Sequence, residues 1–208
     1  MKVLTNGIKK ERKMSSRETI LSKVKANKPD SLPLPTINFD IFEDGKDTLE
    51  EFIKKVEVVG GNVIEATSID EVVNKITTLI PDTKVNFTTI PAIENFNTLS
   101  LDTLKTPHEL EDLDILILQS EIGVAENGAV WLSDAQLPVR VLPFITKHLV
   151  VVIEKEKIVP FMHHAYQKVG NKSNDYGVFL AGPSKTADIE QSLVIGAHGA
   201  LSLTIFVL

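Results

Sequence analysis

No cysteine occurs among the 208 residues. Iron-sulfur clusters are held almost throughout by thiolates, structural zinc usually is, and a disulfide needs a pair of them. The chain can do none of these alone, so no cofactor of that kind is expected in it, and a covalent nucleophile must be sought among Ser, Thr, Lys, Asp and Glu. Long apolar runs are also missing, since no window approaches the ~18–20 residues that a membrane span needs. Residues 1–13 carry charges where a secretion signal requires an apolar stretch, which makes the cytoplasm the expected compartment. Positive charge is short as well. With 22 Lys and Arg against 28 Asp and Glu, the net charge of -6 leaves no surplus for the phosphates of a nucleic acid, and no such partner is expected. Proline (10) and glycine (11) are too few for a collagen-like or low-complexity chain. What is present is globular: 43% hydrophobic and 24% charged residues, in a length that suits one domain.

Residues 1–13 end in the charge run 9–13 and hold too few apolar residues for a buried face, which reads as an N-terminal extension to a single domain over 14–208. Ser15-x-x-Glu18 predicts a capped helix with Ile20, Leu21 and Val24 on one stripe. Pro29, Pro33 and Pro35 stop it, leaving 27–46 as a linker or arm. Asp47-x-x-Glu50 and Ser68-x-x-Glu71 start two more helices, each followed by a short β-branched stretch, 62–66 and 84–89. Helix and strand alternate with short joints, as in an α/β domain with a helix-covered sheet. The apolar run 113–132 lacks a helical stripe and predicts closely spaced strands. Beyond it the spacing predicts strands at 148–154, 177–181 and 201–208, and helices at 160–169 and 186–195.

Two segments carry most of the chemistry. In the run from Val178 to Glu190, an apolar strand enters Gly182-Pro183 and then the helix expected near Ser184, whose free amides and dipole attract anions. Ser184, Lys185, Thr186 and Asp188 add polar groups there, at the carboxyl end of a strand where ligands of open α/β sheets collect. Ordinary capping by Ser184 or Thr186 explains the same residues, and the spacing is not that of a Walker loop. The other segment is Ala125-Glu126-Asn127-Gly128. Asn127-Gly128 between apolar runs is a hairpin signal, because both tolerate positive φ. Glu126 is then either a strand-end carboxylate or a nucleophile or base held beside backbone amides. Arg140 is a solvated charge or an anion contact, and His198, in Gly196-Ala-His-Gly199, is a helix cap or a ligand contact. His163 and His164 project ~100° apart on a helix and cannot easily share a metal. No metal site is expected.

The residues that stand out also resemble a known family, the LUD-domain proteins of bacterial lactate utilisation, specifically the lactate-utilisation protein C branch. Gly182-Pro-Ser-Lys-Thr-Ala-Asp-Ile-Glu190 with Gly196-x-His-Gly199 is the most specific part, and residues 122–132, Arg140-Val-Leu-Pro143 with His148, and residues 14–21 match more loosely. The resemblance implies a fold similar to the sugar-phosphate isomerase and CoA-transferase superfamily. It also implies a role in oxidising lactate to pyruvate with partner subunits that carry iron-sulfur clusters. Asn127 departs from the family's usual Thr before the glycine, and Ala-Glu-Asn-Gly is thereby similar to the Ser-Glu-Asn-Gly loop of class I CoA-transferases. Two functions stay open: a lactate-utilisation subunit binding a small anionic or phosphorylated ligand around residues 182–188, with Asn127, Gly128, Arg140 and His198 contributing, or an acyl-transfer enzyme with Glu126 as nucleophile.

Overall fold

The computed structural model describes residues 15–33, 35–43, 45–170, 176–189 and 192–208, without the side chains of 40, 187–189, 192 and 193. Residues 1–13, read as an extension, lie outside the described residues. The chain divides into the units Met1–Asp44 and Gly45–Leu208. In the first, helix α1 (Ser16–Ala26) opens on the expected capping box: Ser15 Oγ accepts from Glu18 N at 3.3 Å and Glu18 Oε2 from Ser15 N at 2.7 Å. A single 3-10 turn, Phe39–Phe42, follows in the stretch read as an arm.

The second unit runs through α2 (Thr48–Val58), β1 (Asn62–Glu65), α3 (Ile69–Leu79) and β2 (Asn86–Thr88). Asp47 and Ser68 cap α2 and α3 as their spacing predicts, accepting from Glu50 N at 2.9 Å and Glu71 N at 3.2 Å. Three 3-10 turns lead to β3 (Ile115–Gln119), β4 (Gly123–Val124), β5 (Ala129–Ser133), α4 (Leu142–Ile145) and β6 (His148–Ile153). Then come β7 (Ile158–Val159), α5 (Met162–Gly170), β8 (Gly177–Leu180), β9 (Lys185–Ile189), β10 (Ser192–Ile195) and β11 (Ser202–Val207).

Five strands form a parallel sheet in the order β1-β11-β6-β3-β2, and a second sheet has the order β7-β4-β5-β8. Strand alternation sorts the core. Ile115, Ile117, Val150, Val152 and Phe206 meet Val72 and Ile76 of α3 on one face. Leu116, Leu118, Leu149, Val151 and Ile205 meet Phe52 and Val56 of α2, with Val130 and Leu132 of the second sheet, on the other. The outer face of that second sheet, Val124, Trp131 and Phe179, packs on Ala165 of α5. The helix-covered α/β sheet is as expected, and the second sheet between its layers is new.

One expectation is overturned. Where a helix over 186–195 was expected, residues 185–189 and 192–195 form the antiparallel strands β9 and β10, with Lys185 opposite Ile195 and Thr186 opposite Val194. Thr186, Ile189, Val194 and Ile195 are β-branched, which suits a strand and crowds a helical turn. The helix N-terminus that was to attract anions at Ser184 is therefore absent.

Candidate functional site

The turn at Glu126 is a hairpin, built differently from the two-residue one its Asn-Gly suggests. Val124 pairs with Ala129, so residues 125–128 all lie in the loop, and of these only Gly128 has positive φ, at 69°. Asn127 Oδ1 accepts from Ala129 N at 3.0 Å and Gly128 N donates to Val124 O at 2.9 Å. Gly128 also lies against α2: a Cβ there would stand 2.7 Å from Val56 N and 2.9 Å from Lys55 C. Glu126 is exposed, and its Oε2 accepts from Met162 N, the first amide of α5, at 2.8 Å. A carboxylate there satisfies an orphan donor and complements the helix dipole, so the residue is employed as a cap. Glu126→Ala should cost about 1 kcal/mol, the usual loss of a cap, while Glu126→Gln retains an acceptor oxygen and costs less. Mass spectrometry after exposure to acyl-CoAs is expected to show no adduct. A mass gain absent from Glu126→Gln would instead make it a nucleophile.

The two segments of the signature meet at Ser184. Its N donates to Ala200 O at 2.9 Å, its O accepts from Gly196 N at 3.0 Å, and its Oγ accepts from His198 N at 3.4 Å. Gly182, at φ 73°, presses on the end of α2, where a Cβ would collide with Val59 O. Lys185 follows, exposed, with its ammonium 2.9 Å from the place a Cβ would take on Gly60. It thus stands beside the last turn of α2, where a cation is favoured. Thr186 is half-buried in the hairpin, and the Asp188 side chain lies outside the described residues.

Register brings the turn and the signature to one end of the second sheet. Leu180 of β8 pairs with Val130 of β5, so Gly182 follows one strand where Gly128 precedes the other, and both seat on α2. Arg140 stays apart. Its guanidinium lies 4.9 Å over the Tyr176 ring, beside Gly177, which pairs with Ser133 at the far end of the same strands. His198 is exposed between β10 and β11, at the amino rather than the carboxyl ends of the parallel strands, because Ser202 opens β11 level with His148 of β6.

A polar cluster at those amino ends escaped the sequence reading, although Asp114 inside an apolar run was its signal. Asp114 Oδ1 takes Lys147 Nζ at 2.7 Å and its Oδ2 accepts Lys84 N and Val85 N at 2.8 and 3.0 Å, tying the approach to β2 onto β3 and β6. Burial alone would raise this carboxyl, but Lys147 and the two amides hold it down at about 2. His148 Nδ1 lies 2.8 Å from Ser202 Oγ, and burial, helped by Lys147 and opposed by Asp114, favours its neutral form. A folded-state pKa below its ordinary 3.8 means that the Asp114 contribution is present above that value and is lost as pH falls towards about 2. Asp114→Asn should therefore flatten the acid limb of stability below about pH 4, read from denaturation midpoints. Glu71, also held at about 2, by Lys75 and Thr67, leaves a residual slope.

His163 and His164 do not splay as helical spacing suggests: their rings lie 4.3 Å apart, both near Phe161. Among the described residues no three His, Asp or Glu gather as a metal site, and no helix is long and apolar enough to cross a membrane.

A family model described as the LUD domain matches residues 49–208. Lactate utilization protein C of Oceanobacillus iheyensis is 33% identical over 103 residues, 47% of this chain and 44% of its own length. The protein of that name from Shouchella clausii is 29% identical over 121 residues, 56% of this chain and 52% of its own. The chain thus spans about half the length of the curated relatives it matches. Among solved structures, a DUF162 family protein from Deinococcus radiodurans is similar in fold, with a TM-score of 0.61 at 17% identity, covering 77% of this chain and 95% of that one.

Proposed function

The chain belongs to the LUD-domain family, and from that premise we propose that it is a component of lactate utilisation, acting with partner subunits that carry iron-sulfur clusters. The observation that carries the reading is the LUD match itself, which runs from α2 to β11 and includes both signature segments joined at Ser184. Relatives bearing the name lactate utilization protein C support it. Oxidising lactate to pyruvate releases an electron pair, and these 208 residues hold no thiolate to ligate a cluster, so an iron-sulfur acceptor would lie outside them. A likeness to the sugar-phosphate isomerase and CoA-transferase folds is part of the same proposal, supported by the parallel sheet and its covering helices. So is a small-anion contact at residues 182–188, which now rests on exposed Lys185 with Ser184 and His198, and no longer on a helix dipole.

The test is to purify the tagged chain from its own host and assay lactate-dependent reduction of a redox dye. The copurified assembly is expected to reduce the dye and to contain a cysteine-rich subunit, whereas the isolated chain should not. Dye reduction by the isolated chain, or an active assembly without any iron-sulfur subunit, would contradict the reading.

A further inference from the structure

At the carboxyl ends of the parallel strands, away from the signature, the chain leaves β3 and turns into the second sheet. Ser120 makes the corner. It is fully buried, with its hydroxyl 2.8 Å from Trp131 O and 3.0 Å from Ile122 O. Gln119 and Glu121, on either side, line a pocket of about 230 Å³ together with Thr89, Gln136 and Lys157.

Its walls are fixed from behind. Thr88, buried, donates to Ile117 O at 2.9 Å and accepts from Ile90 N at 3.1 Å, which locks the turn carrying Thr89. Gln136 Oε1 accepts from both Ser133 N and Ser133 Oγ, at 3.0 and 2.9 Å, so its amide hydrogens are what it offers a ligand. Lys157 pairs with Glu154 at 2.9 Å, and an ammonium has further donors.

We infer that this pocket binds a short-chain hydroxy acid, its carboxylate on Lys157 and Gln136 and its hydroxyl toward Gln119 or Glu121. The choice of ligand rests on the lactate-utilisation reading, and the lining accommodates it, with an ammonium and an amide as donors and amide and carboxylate oxygens as acceptors. The volume suits a small occupant. At about 230 Å³ the pocket falls below the ~300–1,000 Å³ of sites for drug-sized ligands, too small to enclose CoA or a dinucleotide. Its place is also the one where ligands of parallel α/β sheets collect.

The test titrates the isotope-labelled full chain with L-lactate, with propionate, which keeps the carboxylate and lacks the hydroxyl, and with CoA. Lactate should shift the NMR signals of Gln119, Gln136 and Lys157, and propionate should bind about tenfold more weakly. CoA should leave these signals unmoved. Lys157→Gln should weaken lactate about tenfold or more by removing the charge, and Gln136→Glu should abolish binding by setting a like charge against the carboxylate. Silence at those three residues, an equal response to propionate, or shifts confined to Ser184 and His198 would overturn the proposal. If lactate-dependent growth requires the protein while the pocket stays silent, the pocket fails alone. Lactate binding in the pocket of a protein dispensable for such growth would remove the physiological role and leave the pocket standing.

Discussion

Gly128→Ala is expected to destabilise the second unit by roughly 2–5 kcal/mol, the sum of about 1–2 for an L-residue in left-handed backbone and about 1–3 for overpacking. The atoms that a Cβ would meet, Val56 N and Lys55 C, belong to the backbone of α2 and cannot rotate away. Relief would require lifting the turn off the helix. At roughly 2–4 °C per kcal/mol in a unit of this size, the melting temperature should fall by about 4–20 °C. Gly45→Ala is the internal control, since Gly45 has φ 69° but, among the described residues, nothing within 4 Å of its added Cβ. It should show the backbone cost alone. Equal losses in the two variants would mean that the turn is not seated on α2.

The second large effect is expected from Phe52→Ala, at about 3–5 kcal/mol for deleting a fully buried aromatic ring. Phe52 is 0% exposed and lies in the core shared by α2 and the two sheets. Its Cε2 would be 3.3 Å from a Cβ on Gly123, so there is little slack to close the cavity. Because α2 also carries the contacts of Gly128 and Gly182, the loss should loosen both loops. Hydrogen exchange should show faster opening at Gly128 N, bonded to Val124 O, and at Ser184 N, bonded to Ala200 O. Unchanged protection at both amides, despite the lost stability, would separate α2 from the loops.

Local signals were legible in the sequence. Ser15, Asp47 and Ser68 mark their helices because a cap acts over three residues, and the β-branched runs at 62–66 and 148–154 need no distant information to be strands. The reading of 186–195 failed where local preference was divided. The segment has polar residues at its start, but β-branched Thr186 and Val194 pair across two antiparallel strands. Seats of glycines were not legible at all, since Gly128 and Gly182 owe their importance to a helix far earlier in the chain. Gln119 and Glu121 lie within the run 113–132 that predicted closely spaced strands, and only the corner at Ser120 turns them to a common pocket. Asn127 and Gly128 were correctly joined to one turn, whereas the role of Glu126 as acceptor for Met162 N depends on β4 lying beside β7.

The most direct measurement of the central claim is growth on lactate as sole carbon source by a host strain deleted for this protein alone. Growth on lactate should fail while growth on glucose is unaffected, and the wild-type chain should restore it. Normal growth of the deletion strain on lactate would contradict a part in lactate utilisation.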